Sequence, residues 1–162
     1  MEEMRLLKML QKDPRATVTD LADILGESEQ DISDAITSLE EKKIIVGYHT
    51  IINWDKTSEE RVEAIIEVSA KPERDKGYDK IAERISRYPE VSDCYLMSGK
   101  NEFFVIINER TMREIADFVG QKLAPIDGVL ATVTCFVLKK YKAAGVMLDA
   151  EEEVDDRQPV TP

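Results

Sequence analysis

The chain has one histidine and two cysteines in 162 residues, and that scarcity removes several kinds of chemistry. Cys94 and Cys135 each lie in an apolar, strand-like run, no Cys-x-x-Cys pair occurs, and His49 has no second ligand candidate near it in sequence. A zinc site or a disulfide therefore has little support, and both thiols are expected to be buried and reduced. No phosphate-binding glycine loop and no nucleophile–base pairing is present, and no cofactor is expected. Apolar runs such as FFVII at 103–107 fall far below the ~20 residues of a membrane-spanning helix. The first residues, MEEMRLLKMLQKD, open acidic and lack the basic-then-apolar layout of a signal peptide, so a cytoplasmic protein without membrane contact is expected.

Basic charge is also scarce where it would matter. The net charge is −11; residues 1–55 hold 6 Lys+Arg against 12 Asp+Glu, residues 56–146 hold 15 of each, and residues 147–162 hold one Arg against six acids. Neither half is a basic domain, which argues against strong nonspecific nucleic-acid binding.

What is present is a clear division into two parts. The first 53 residues carry three helical patterns. Leu6, Leu7 and Leu10 form one apolar face, ended by Asp13-Pro14. A capping box of Thr17 and Asp20 opens the second helix and Gly26 stops it, while Ser28 and Asp31 open the third. The third helix buries Ile32, Ala35, Ile36 and Leu39, at i, i+3, i+4, i+7. Two short helices across a glycine-containing turn make a helix-turn-helix pattern. The stretch IIVGYHTIINWD then alternates weakly about Gly47 and reads as a two-stranded wing.

Residues 54–60 are polar and read as a linker. From 61 the rhythm is βαββαβ, the split βαβ order of ferredoxin-like domains, running to about residue 145. The expected strands are RVEAIIEVSA, VSDCYLMSG, NEFFVIINE and GVLATVTCFVLKKYK. The first helix presents Tyr78, Ile81, Ala82 and Ile85; the second buries Met112, Ile115, Ala116, Val119 and Leu123. Parity puts Ile65, Leu130, Phe136 and Leu138 on the sheet's outer face, where a second copy of the domain would cover them. Cys94 and Cys135 fall on opposite edge strands, too far apart to bridge. Residues 146–162, with six acids and two prolines, read as a disordered tail. The fold class is α+β: a winged helix-turn-helix followed by a ferredoxin-like domain.

This layout resembles the Lrp/AsnC (feast/famine) family of bacterial and archaeal transcription regulators, in phrasing most like its Gram-positive members. The residues that carry the likeness are DPRATVTDLADILGESEQDISDAITSLEEKKIIVGY, YPEVSDCYLMSGKNEFFVII and IDGVLATVTCFVLKKYK, and it spans about residues 2–145. The resemblance implies a sequence-specific regulator of double-stranded DNA, a homodimer or higher oligomer, and an amino acid or similar small effector. It places DNA contacts at Arg15, Thr17, Ser28, Gln30, Ser33, Thr37, Ser38, Lys42 and Lys43. The effector pocket it implies is Met97, Ser98, Gly99, Lys100, Asn101 and Glu102, with Thr132 and Thr134.

Two departures stand out. Recognition helices of the family carry several Arg or Lys, yet Glu27 to Glu41 holds six carboxylates and no basic residue. Base-edge bonding by Gln30, Ser33 and Thr37, and a phosphate at the amide end of the helix, are the contacts left open. In the effector turn, Asn101 stands where the family has an aromatic and Glu102 where it has Asp. Alternatives are a sensor or hetero-oligomer partner that no longer binds DNA, and a protein similar to siroheme decarboxylases, which the single histidine disfavours.

Overall fold

The computed structural model describes residues 3–72 and 77–149. The chain divides into two compact units, Met1–Ile51 and Ile52–Pro162.

The first unit is three helices, α1 (Glu3–Lys12), α2 (Val18–Leu25) and α3 (Glu29–Glu41), around a small core of Leu6, Leu10, Leu21, Ala22, Ile32 and Leu39. Local chemistry sets each boundary. Thr17 accepts the Asp20 N–H while Asp20 returns to the Thr17 backbone, closing the capping box. Gly26 ends α2 in the left-handed region, φ 70°, donating to the Ala22 carbonyl oxygen at 2.8 Å. Ser28 caps α3 by accepting from Asp31 N–H at 3.1 Å. Ala35 and Ile36 pack beside the core rather than inside it.

The helices of the expected winged helix-turn-helix are in place, but the stretch read as its two-stranded wing carries no strand pairing. No strand occurs between α3 and residue 61, and Val46 is 84% exposed. A lone ribbon with so little to bury is not stable in water.

The second unit is the βαββαβ domain: β1 (Val62–Ala70), α4 (Asp79–Ser86), β2 (Val91–Leu96), β3 (Phe103–Glu109), α5 (Met112–Phe118) and β4 (Val129–Phe136). The sheet is antiparallel in the order β2-β3-β1-β4, so the strands of Cys94 and Cys135 are its two edges. Alternate residues of the central strands, Ala64, Ile66 and Val68 with Phe103, Val105 and Ile107, are buried against the helices. Ile81 and Ile85 of α4 and Ile115 and Phe118 of α5 complete that core.

Three expectations change. Met112 and Ala116 are exposed and Phe118 is buried instead, one turn on from Ile115, and a π turn, Val119–Leu123, follows α5. The wider turn brings Leu123 back to the buried face five residues after Phe118. On β4 the register shifts at Leu130, between partners Ser69 and Ala70. One extra residue reverses the alternation beyond it. Phe136 therefore pairs with Ala64 and packs on the helix-side core, whereas Val133 and Cys135 join Glu67 and Ile65 on the outer face. Leu130 is exposed, as expected, but Cys135 is exposed too rather than buried, and Leu138 lies beyond the strand.

After β4 the chain forms a small hairpin, β5 (Lys142–Ala143) with β6 (Val146–Met147), turning through Ala144 and Gly145 at positive φ. Residues 146–149, expected as the start of a disordered tail, are thus part of ordered structure, and residues 150–162 lie outside the described residues. Among the described residues no helix is long and apolar enough to cross a membrane.

Candidate nucleic-acid interface and effector site

The outward face of α3 presents Gln30, Ser33, Asp34 and Thr37 to solvent, with Ser38 half-buried. Gln30 Nε2 donates to Asp34 Oδ1 at 2.8 Å, one turn on. That leaves the Gln30 carbonyl oxygen and one N–H to read a base edge. The Thr37 hydroxyl donates to the Ser33 carbonyl oxygen at 3.0 Å and keeps its acceptor side.

The amide end of α3 is less open to a phosphate than the sequence implied. Ser28 Oγ takes the Asp31 N–H and donates to Asp31 Oδ2 at 2.6 Å, so its hydroxyl is committed to the cap. Thr19 donates to Glu29 Oε1 at 2.8 Å, holding another carboxylate at the same end. Thr17 is likewise spent within its own capping box.

Cations sit at the margins. Arg15 is exposed in the loop before α2. Lys42 and Lys43 follow the other end of α3, where the Lys43 N–H donates to Glu40 O and the Ile44 N–H to Leu39 O. This is the two-bond helix stop that normally uses glycine, yet Lys43 occupies its left-handed position at φ 57°. Beyond it, Tyr48 donates to Glu40 Oε1 at 2.9 Å. Burial first, and then Glu40, hold its phenol above the ordinary value.

The turn between β2 and β3 is built around Asn101 and Glu102. The Met97 N–H donates to Glu102 O at 2.8 Å, closing the hairpin, with Ser98, Gly99 and Lys100 exposed at its tip. Glu102 continues the ladder through its own N–H to Val68 O, and its carboxylate accepts the Ala70 N–H at 2.7 Å where β3 has run out. Asn101 bridges two outer-face residues of β1, donating to Glu67 and accepting from Ser69 Oγ at 2.6 Å. Glu67 and Ser69 thus belong to this cluster, and sequence reasoning missed them. The only sequence signal was a polar residue at alternate places on β1.

Thr132 and Thr134 do not join the cluster. They pair with Val68 and Ile66 and share the helix-side face, because the bulge at Leu130 reversed their alternation.

The comparisons agree with this architecture. Residues 63–147 match the Lrp/AsnC ligand binding domain and residues 3–46 a winged helix-turn-helix DNA-binding domain. An uncharacterized HTH-type transcriptional regulator of Bacillus subtilis, YugG, is 37% identical over 162 residues, covering 99% of this chain and 97% of that one. The regulator LrpA of Pyrococcus horikoshii is 34% identical over 85% of this chain and 94% of its own length. Among solved structures, the leucine response regulatory protein of Mycobacterium tuberculosis superposes with a TM-score of 0.74 at 20% identity, covering 90% and 97%. A regulator of Neisseria meningitidis, solved as an L-Met complex, gives 0.68 at 23% identity, covering 91% and 95%. At those identities the two structures bear on the fold alone. Sequence match, domain order and fold converge: this chain belongs to the Lrp/AsnC family and is a DNA-binding transcriptional regulator with an effector-binding domain.

Proposed function

We propose that this regulator reads DNA through the uncharged groups of α3, chiefly Gln30, Ser33 and Thr37. Ser38 lies at the edge of that surface, and Arg15, Lys42 and Lys43 neutralise phosphates at its margins. The observation that carries this reading is the layout of α3: Gln30, Ser33 and Thr37 face solvent beside the carboxylates of Asp34 and Glu41, and cations occur only beyond its ends. Asp34 suits a cytosine amino group and repels nearby phosphates, so each head binds weakly. Affinity then comes from several heads linked in a homo-oligomer. The outer sheet face supports self-association, since Ile65, Phe104 and Ile106 are half-exposed there and Val133 is 54% exposed.

The effector in this reading is an amino acid or similar small zwitterion at the turn of Met97, Ser98, Gly99, Lys100, Asn101 and Glu102. Glu67 and Ser69 lie beside it, and Glu67 offers a carboxylate to an ammonium group. The L-Met complex of the Neisseria relative supports this ligand class. The role is binding rather than catalysis, in keeping with the regulators among its relatives. The test is thermal unfolding of the full chain against a panel of L-amino acids, with Glu67→Gln beside the wild type. A rise in melting temperature with one amino acid, abolished by Glu67→Gln, is expected. No shift with any amino acid, or equal shifts in both proteins, would reject the assignment.

A further inference from the structure

Residues 53–61 follow directly on the DNA-binding unit; they fold on themselves and are held to the C-terminal hairpin of the sensory domain through Asn53. Asn53 Nδ2 donates to the Leu148 carbonyl oxygen at 2.8 Å. Trp54, in the 3₁₀ turn Trp54–Lys56, lies 3.6 Å beneath the Arg61 guanidinium, which Glu59 steadies at 3.1 Å. Asp149 pairs with Lys139 at 2.8 Å, and Asn53 and Lys56 also act on its carboxylate. The β5–β6 hairpin that presents Leu148 and Asp149 is itself anchored. The Leu148 N–H donates to Tyr141 O at 3.0 Å, and Lys140 reaches back to Glu63 on β1.

We propose that this hairpin is a clasp that keeps the leash to the DNA-binding unit short. Closed, the chain leaves the sensory domain at about Ile52; open, residues 53–61 are released as a tether. The proposal rests on the reading that several DNA heads act together. A flexible tether of that length spans roughly 16 Å. The gain from linking heads falls with about the −3/2 power of tether length. The hydrogen bond that closes the clasp is weak alone, as are the cation over a ring that shapes the segment and the exposed ion pair that shapes the hairpin. Such a set opens without unfolding the domain.

Trp54 is the only tryptophan in the chain, so its emission reports the clasp directly. The experiment compares the full-length protein with the Asn53→Ala/Asp149→Asn double variant. It measures acrylamide quenching of Trp54 and affinity for promoter fragments carrying one or two sites. Opening the clasp is expected to increase quenching and to lower two-site affinity about tenfold, with single-site affinity unchanged. Asn53→Ala alone removes the hydrogen bond to Leu148 and is expected to give the same pair of changes; it decides the matter if the double variant does not fold. Increased quenching with undiminished two-site affinity overturns the proposal, as does unchanged shielding of Trp54. A wild-type protein with no two-site gain overturns the linked-head reading and the clasp with it, whereas failure of the variants alone overturns only the clasp.

Discussion

Two side chains are held where their surroundings work against them. Lys43 sits at φ 57° in a helix stop suited to glycine, at a cost of about 1 kcal/mol. Replacement by glycine is expected to raise the urea midpoint of the DNA-binding unit by about that free energy while weakening DNA binding. A more stable variant that binds DNA as well as the wild type would remove Lys43 from the interface. Glu90 makes an ion pair with Lys122, and its other oxygen is buried with no hydrogen-bond partner among the described residues. The hydrogen bond from Lys122 lowers its carboxyl pKa, outweighing the burial that raises it. A carboxyl depressed in the folded state adds stability above its ordinary value of 4.5 and loses it as pH falls through the folded value. Glu90→Gln should therefore cost roughly 0.5 kcal/mol at neutral pH, since Lys122 is partly exposed, and the difference should vanish in acid. Thermal melts of both proteins across pH measure this, and a gap that persists in acid would contradict it.

At the scale of elements, legibility followed the range of the interactions. Thr17 with Asp20 and Ser28 with Asp31 act over three residues, so the starts of α2 and α3 could be read directly. The strand order followed from the βαββαβ succession of elements, with FFVII of β3 apolar on both faces as a central strand is. The bulge at Leu130 could not be read, because it exists only in the pairing of β4 with Ser69 and Ala70. Parity counted through it misplaced Phe136, and the pocket implied by the family resemblance included Thr132 and Thr134, which the bulge turns to the helix side. Phe118 was missed although it lies one turn on from Ile115, and the π turn that follows breaks the 3.6-residue period. Asn101 was legible as part of a turn, but its partners Glu67 and Ser69 lie more than thirty residues away. The corrected register makes its own prediction. Phe136→Ala should destabilise the sensory domain by about 2 kcal/mol, and Val133→Ala should leave the dilute protein nearly unchanged. Chemical denaturation distinguishes them, and the reverse ranking would restore the uncorrected parity.

For the whole molecule, charge is the governing quantity. A chain of net charge −11 with few cations near α3 gains little from counterion release, and the proposed reading draws its DNA affinity from base contacts and linked heads. In that reading the three cations at the margins of α3, Arg15, Lys42 and Lys43, give a shallow dependence on salt. The measurement that tests this most directly is fluorescence anisotropy with the protein's own promoter DNA and with scrambled DNA, across a range of salt. The account predicts saturable preference for the promoter, with log K falling by roughly 3 per decade of salt for each bound head. A steep slope with no sequence preference, or no binding even at about 50 mM salt, would contradict it.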